Sequence, residues 1–193
     1  MENITTKFNR LYEVISSPTF LKKEALGGEI PFFISAYDPK QETEVCNAIK
    51  GLKNKLETSG IPVLELHLYD ISMAILEEKG GVERMFRVEK AKSKDKFLRA
   101  LQSSLNIHNV LIPKIEEMIK SSGAKVYFLT GISSVFPFIR SHNVLNNLQA
   151  IVKDAPMVAF FSGKYDGHSL KLFGLLKDDN YYRAFNLDKI QTR

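Results

Sequence analysis

The chain contains one cysteine, no tryptophan and no long apolar run. A single thiol, Cys46, cannot form an internal disulfide or a multi-cysteine zinc site, and its helical context predicts a small core residue. The longest apolar runs fall far below the roughly 20 residues that cross a bilayer. Because the N-terminus is polar where a signal peptide would be apolar, we expect a cytoplasmic protein.

Basic residues outnumber acidic ones, and the net charge is +5. The excess is greatest between Val82 and Leu101, where seven basic residues stand against three acids. This pattern indicates either a solvated helix face or a phosphate-binding patch. No aromatic residues interleave with the lysines as single-strand binders require. The candidate nucleic-acid-binding residues are Arg84, Arg87, Lys90, Lys92, Lys94, Lys96 and Arg99.

Apolar strand candidates alternate with amphipathic segments, which predicts an α/β fold with a mostly parallel central sheet of about five to six strands. The candidate strands are residues 31–36, 63–68, 125–130 and 157–162. Their composition indicates central strands buried on both faces, except that the second alternates leucine with Glu65 and His67 and should lie near an edge. Intervening helices are predicted over 41–58, 71–79 and 97–119, with Pro113 splitting the last.

Both ends of the chain differ from this alternation. Residues 1–26 read as a helical N-terminal arm, and no composition shift divides the chain, so one domain over 1–193 is expected. Leu170 to Leu175 and Tyr181 to Leu187 read as strands joined by a turn at Lys177 to Asn180, which predicts an antiparallel hairpin at the C-terminus.

Ligands of open parallel sheets bind beyond the carboxyl ends of the strands. Asp38, Asp70, Thr130 and Asp166 follow the four candidate strands and form a predicted strand-end rim. Three aspartates could hold a divalent cation, but aspartate is also a favoured helix N-cap. Because Asp38 and Asp70 precede helical patterns, capping is the preferred interpretation, and no metal or other cofactor is expected.

The familiar catalytic motifs are absent from the sequence. The first strand is followed by AYDPKQETEV, which has no glycine-rich phosphate loop and carries a carboxylate where phosphate would be repelled. SGKYDG, beginning at Ser162, lacks the required hydroxyl and reads as a turn. No nucleophile elbow or paired histidines occur, and the four histidines are scattered. The sequence therefore predicts no catalytic site.

The segment LTGISSVFPFIRSHNVLNNL, residues 129–148, is unusually rich in amide side chains for a helix. On a helix from about Ser141 the amide and imidazole groups stack four residues apart on the polar side, where they offer directional hydrogen bonds with little charge. This suits recognition, an internal polar network or an ordinary polar helix face. The candidate residues are Arg140, His142, Asn143, Asn146 and Asn147.

Four segments in order closely resemble the BrxB family of bacteriophage exclusion (BREX) systems. They are FFISAYDPKQE from Phe32, LHLYD from Leu66, FLTGISSVFPFIRSHNVLNNLQ from Phe128 and FFSGKYDGHSLKLFGLLKDDNYYRAF from Phe160. The resemblance covers nearly the whole chain, with the N-terminal arm and the basic segment only weakly marked. The strand-loop-helix at FLTGISS also resembles the core of P-loop ATPases, here without a phosphate loop.

The resemblance implies a small cytoplasmic protein without catalytic activity of its own that works with other products of a defence operon. These are a PglZ-type protein of the alkaline-phosphatase superfamily, a large ATPase and a DNA methyltransferase. Our hypothesis is a nucleotide-binding scaffold that has lost nucleotide and acts as an adaptor, with the PglZ-type protein as the expected docking partner. Two alternatives stay open: a non-specific nucleic-acid-binding module that uses the basic segment, and a metal- or nucleotide-dependent enzyme built on Asp38, Asp70 and Asp166.

Overall fold

Strands and helices alternate along most of the chain in the computed structural model, which describes residues 3–23, 31–178 and 182–190. The strands are β1 Phe32–Tyr37, β2 Val63–His67, β3 Val126–Thr130, β4 Met157–Tyr165, β5 Leu170–Leu172, β6 Leu176–Asp178 and β7 Phe185–Asn186. The helices are α1 Ile4–Ser16, α2 Pro18–Leu21, α3 Glu42–Thr58, α4 Leu68–Glu78, α5 Val82–Ala91, α6 Lys94–Ser104, α7 Ile112–Ser122 and α8 Ser141–Ile151. None of the helices in the described ranges is long and apolar enough to span a membrane.

The central sheet has the strand order β2-β3-β4-β1-β7, and every neighbouring pair in that order is parallel. β1 pairs with β4 along its whole length, from Phe32 opposite Met157 to Tyr37 opposite Ser162. β2 lies at one edge of this order, as its alternating composition predicts. The predicted α/β class with a mostly parallel sheet is therefore confirmed.

Each face of the sheet is covered by a separate apolar core. On one face, Phe33, Phe128 and Phe160 pack with side chains of α1, α2 and α3. On the other face, the alternate strand residues, such as Leu129 and Phe161, pack with α4 to α8. Two covered faces explain why the central strands are apolar at nearly every position.

Two helix predictions need correction at their boundaries. α4 begins at Leu68, three residues before the predicted start, because the imidazole of His67 accepts a hydrogen bond from the backbone N–H of Asp70 and caps the helix. The long helical segment is divided into two helices as predicted, but the break lies at Leu105 and Asn106, ahead of Pro113. Pro113 lies in the first turn of α7, where a backbone N–H is not needed for a helical hydrogen bond. A π-helix over Ile107–Leu111 separates α6 from α7.

The C-terminal hairpin is present, but its turn is not where the sequence predicts it. β4 continues to Tyr165 and pairs antiparallel with β5, which pairs antiparallel with β6. The β5–β6 turn falls at residues 173–175, so Lys177 lies inside β6 rather than in a turn. Part of the predicted turn and Tyr181 lie outside the described residues. β7 pairs in parallel with β1 instead of completing the hairpin.

Candidate functional site

A groove of about 850 Å³ opens beyond the carboxyl ends of β1, β2 and β3. α3 forms one wall, and α4 with α7 forms the other. Both acidic and basic side chains line it, so the groove has no single charge. Its polar lining residues are Tyr37, Glu42, Cys46, Lys50, Lys53, Glu65, His67, Asp70, Glu78, Lys114, Thr130 and Ser134.

The end of β1 is occupied by a carboxylate of the protein itself. Glu42, in the first turn of α3, accepts hydrogen bonds from the Tyr37 hydroxyl at 2.9 Å and from the Ser162 hydroxyl at 2.8 Å. Burial, together with the charge and hydrogen bond of Glu42, raises the pKa of Tyr37 above its ordinary value. The phenol therefore stays protonated and serves as a donor. Glu42, Tyr37 and Ser162 form one closed polar cluster.

Cys46 lies one helical turn beyond Glu42 and is exposed, contrary to the predicted core position. Its Sγ lies 3.9 Å from the Glu42 carboxylate. Partial burial of the thiol, followed by the negative charge of Glu42, raises the pKa of Cys46. The thiolate form is therefore disfavoured, which does not suit a nucleophile.

A second internal cluster joins the middle of β2 to the end of β3. The Thr130 hydroxyl donates to Glu65 Oε1 at 3.1 Å, and Lys53 of α3 lies 3.6 Å from Glu65 Oε2. Thr130, a predicted rim residue, thus contributes its hydroxyl to a strand-to-strand contact. The ammonium group of Lys53 therefore neutralises the negative charge of Glu65.

His67 and Gly131 form a close contact at the same strand ends. Gly131 has φ +68, and a Cβ placed there would come within 2.8 Å of His67 Nε2. Only glycine lets the β3 loop pass this close to the imidazole. On its other side the ring faces Asp70, whose carboxylate lies 3.1 Å from Nδ1.

The rim aspartates act locally, each at its own turn. Asp38 caps the turn after β1 by accepting from Lys40 N–H at 2.9 Å, in agreement with the capping interpretation. Asp70 is not a cap, because it lies inside α4 and His67 holds the cap position. Asp166 accepts from the backbone of His168 and Ser169 in the β4–β5 turn. Within the described ranges, no three histidine, cysteine or acidic side chains gather as metal ligands would.

The amide-rich helix α8 has its apolar stripe in the core and its polar side chains outside. Val144, Leu145 and Leu148 are buried. Arg140, Asn143 and Asn146 are exposed, whereas Asn147 donates to the Asn143 carbonyl at 2.6 Å, and His142 is half-buried with contacts of its own. The predicted residues therefore lie on α8 and at its N-cap, Arg140, with the amide side chain of Asn147 bonded back to the helix backbone.

The basic segment forms two consecutive helices, α5 and α6, at the surface. All seven basic side chains are exposed, and Arg84 donates to the Lys79 carbonyl at 2.8 Å. Phe86 lies among them with 55% of its surface exposed. An aromatic ring does therefore interleave with the cations, contrary to the expectation from the lysine pattern.

The comparisons with known proteins agree on one family. The family model described as BREX protein BrxB matches residues 64–187. A relative from Bacillus cereus (strain H3081.97), "BREX protein BrxB", is 38% identical over 191 residues, which cover 97% of this chain and 98% of the relative. The chain belongs to the BrxB family.

A more distant BrxB relative extends the match across species. "BREX protein BrxB" of Escherichia coli O9:H4 (strain HS) is 27% identical over 181 residues, or 94% of this chain and 90% of the relative. No solved structure matches, so the likeness to a P-loop ATPase core stays a prediction. As a BrxB-family member, the chain is a component of a BREX system and takes part in phage defence.

Sequence reasoning missed the cluster around Glu42. Ser162 and Glu42 are 120 positions apart, and only the parallel pairing of β1 with β4 brings them together. The available signal was Tyr37, a polar side chain at the end of a buried strand. The BrxB family model, which matches residues 64–187, covers Ser162 but not Tyr37 or Glu42, whereas the Bacillus cereus relative spans nearly the whole chain.

Proposed function

We propose that this BrxB-family chain is a non-catalytic adaptor, which holds other BREX proteins together. The PglZ-type protein of the same operon is its proposed main partner, and the BREX ATPase and methyltransferase are further candidates. The observation that carries the proposal is the closed cluster of Glu42, Tyr37 and Ser162 at the end of β1.

The cluster lies where related sheets bind phosphate, at the turn between the first strand and the following helix. In sheets of this kind, phosphates bind to backbone donors at the turn between a strand and the following helix. Here the Lys40 N–H is already bound by Asp38, and Glu42 and Glu44 lie in the first turn of α3. A triphosphate would face carboxylates that cannot donate hydrogen bonds at neutral pH. This supports a scaffold that does not use nucleotide.

The proposed contact surface for a partner is the exposed side of α8. Arg140, Asn143 and Asn146 are exposed while the same helix is anchored by its buried apolar stripe. A rigid helix carrying an arginine and two amides offers directional contacts at low entropic cost.

Co-purification of the tagged chain with each operon product tests the adaptor role. The intact chain should retain the PglZ-type protein, and the double variant Arg140→Ala with Asn143→Ala should retain much less of it. The matched control is Gln102→Ala with Asn109→Ala, exposed positions on α6 and the π-helix. Calorimetric titration with ATP, Mg²⁺ and Mn²⁺ completes the test. Saturable nucleotide or metal binding without partner retention would favour an enzyme instead.

A second candidate function is non-specific binding of nucleic acid, which the exposure of Phe86 among seven exposed basic side chains favours. Phosphates would contact the cations of α5 and α6 while a base stacks on the ring. Affinity for duplex or single-stranded DNA should then fall steeply with salt. The variant with Lys90, Lys92 and Lys94 all changed to glutamate should abolish binding, and binding that survives this change rejects the candidate.

A further inference from the structure

Three lysines occupy directly opposed positions on adjacent strands near the C-terminus. Lys164 of β4 is in register with Lys171 of β5, and Lys171 is in register with Lys177 of β6. Opposed residues of antiparallel strands share one face, so the three side chains form a row about 10 Å long. All three are exposed. This row, Lys164, Lys171 and Lys177, is the lysine ladder.

The fold holds these like charges together at a cost. Directly opposed like charges on neighbouring strands destabilise a sheet. Within the described ranges neither Lys164 nor Lys171 forms an ion pair, whereas Lys177 has an interaction of its own. Gly163 allows β5 to approach β4 closely, because a Cβ there would clash with the Lys171 carbonyl oxygen. The uncompensated repulsion is therefore that between Lys164 and Lys171, and an anion that bridges these two lysines would relieve it.

The turn beside the ladder carries exposed apolar surface. Leu175, in the β5–β6 turn, is 79% exposed. Leu176, 44% exposed, is in register with Leu172 and therefore lies on the face opposite to the ladder. The side of these strands opposite to the ladder is anchored, since Leu170 and Leu172 are buried. The fold thus presents a row of cations and an aliphatic side chain next to each other on a rigid support.

The surroundings favour an acidic protein segment over nucleic acid as the occupant. Leucine cannot stack on a base as an aromatic ring does, whereas a protein partner gains free energy by burying it. Carboxylates also border the ladder. Asp38 shares a groove of about 530 Å³ with Lys164, and Asp166 lies in the adjoining β4–β5 turn. A continuous phosphate backbone that followed the ladder would be repelled by these carboxylates, whereas a short acidic segment needs to contact only the lysines.

We propose that the lysine ladder and Leu175 form a docking surface for an acidic segment of a partner protein, one that also carries an apolar side chain. The ladder side chains leave the sheet on the face opposite to Leu170 and Leu172, which pack in the same core as α8. The adaptor therefore has two surfaces on opposite faces of the sheet, α8 and the ladder. This inference rests on the proposed adaptor function and assigns it a second contact.

Lys171→Glu is the decisive variant, because it places an opposite charge between two lysines and should raise the melting temperature while it removes binding. Lys153→Glu, an exposed lysine beyond the amino end of β4, is the control with the same charge change. In calorimetry with each purified operon protein, Lys171→Glu should weaken one interaction by about tenfold or more. Lys153→Glu should leave it unchanged. Leu175→Ser should weaken the same interaction.

An NMR titration tests the docking surface independently of the proposed adaptor function. The probes are a ten-residue peptide of glutamates with one central leucine and a 20-base-pair DNA duplex. Backbone amides of residues 163–165 and 170–177 should shift with the peptide and return to their free positions in Lys171→Glu. Equal partner affinity of Lys171→Glu and the parent chain would overturn the surface but leave the adaptor intact. If no operon protein binds the parent chain, the adaptor function is wrong. The docking surface is overturned if the peptide leaves these amides unshifted, or if only the DNA shifts them.

Discussion

At the residue scale, several polar side chains at the strand-end groove form hydrogen bonds or ion pairs with one another. Glu42 receives two hydroxyl donors, Glu65 receives Thr130 and faces Lys53, and the ring of His67 packs against Gly131. Groups that are already paired lose those contacts when a ligand takes their place. These contacts therefore tie the strand ends of the groove to one another and to α3.

Removal of the Glu42 carboxylate tests the first of these clusters. Glu42→Ala leaves the Tyr37 hydroxyl and the Ser162 hydroxyl, on a residue only 1% exposed, without their acceptor. We expect the free energy of unfolding to fall by about 1–3 kcal/mol, measured by urea denaturation. Glu44→Ala, in the same helical turn but exposed, should cost much less. Equal losses in the two variants would mean that the cluster contributes nothing specific.

The contact between Gly131 and His67 makes a second residue-scale prediction. Gly131→Ala combines a positive φ with a Cβ only 2.8 Å from the imidazole, and it should destabilise the protein by roughly 1–3 kcal/mol. In a His67→Ala background the steric part disappears, so the added cost should shrink in a double-mutant cycle.

Gly51→Ala provides the control for that cycle. Gly51 lies inside α3, and a Cβ added there would meet no heavy atom within 4 Å, so alanine should stabilise the chain by up to about 1 kcal/mol. If the changes in the free energy of unfolding caused by Gly131→Ala and His67→Ala are strictly additive, the alanine Cβ does not clash with the imidazole.

At the element scale, the strands were predictable and the connections were less so. Apolar runs such as 126–130 identify central strands because both faces of the sheet are covered. The start of α4 was not predictable, since a histidine cap leaves no common signature. The hairpin turn was misplaced because the sequence signal at Lys177 to Asn180 is stronger than that at residues 173–175, where Gly174 with φ +71 allows the reversal.

Hydrogen bonds within the β4–β5 turn shift the pKa of Asp166. The N–H groups of Ser169 and His168, with the Ser169 hydroxyl, lower the pKa of Asp166 from 3.8 to about 2. Because the folded pKa lies below the unfolded value, Asp166 contributes stability that is fully present above about pH 4 and is lost as the pH falls towards 2.

An Asp166→Asn variant turns this into a measurement. Its deficit in stability against the parent chain should be constant from pH 7 to about pH 5 and should narrow as the pH approaches 2. Urea denaturation across this range gives the deficit, and an NMR titration of the carboxyl carbon gives the pKa. A midpoint near 3.8 would contradict the hydrogen-bonded turn.

At the scale of the whole molecule, the candidate sites lie on separate elements rather than in one cleft: α5, α6 and α8 cover one face of the sheet, and the lysine ladder leaves the opposite face. The α5–α6 cations, α8 and the lysine ladder all present exposed side chains, while polar side chains that line the groove at the strand ends bond to one another. Sequence reasoning could find the first two because they are continuous in the chain. It could not find the ladder or the Glu42 cluster, whose members meet only through strand register.

That distribution is what an adaptor requires, since several partners can bind at once only if their surfaces do not overlap. The most direct measurement is calorimetric titration of the purified chain with the PglZ-type protein of its operon, run beside the same titration with Mg²⁺ and ATP. The account predicts saturable heat with the protein partner and none with nucleotide. Saturable heat with nucleotide and none with the PglZ-type protein would contradict it.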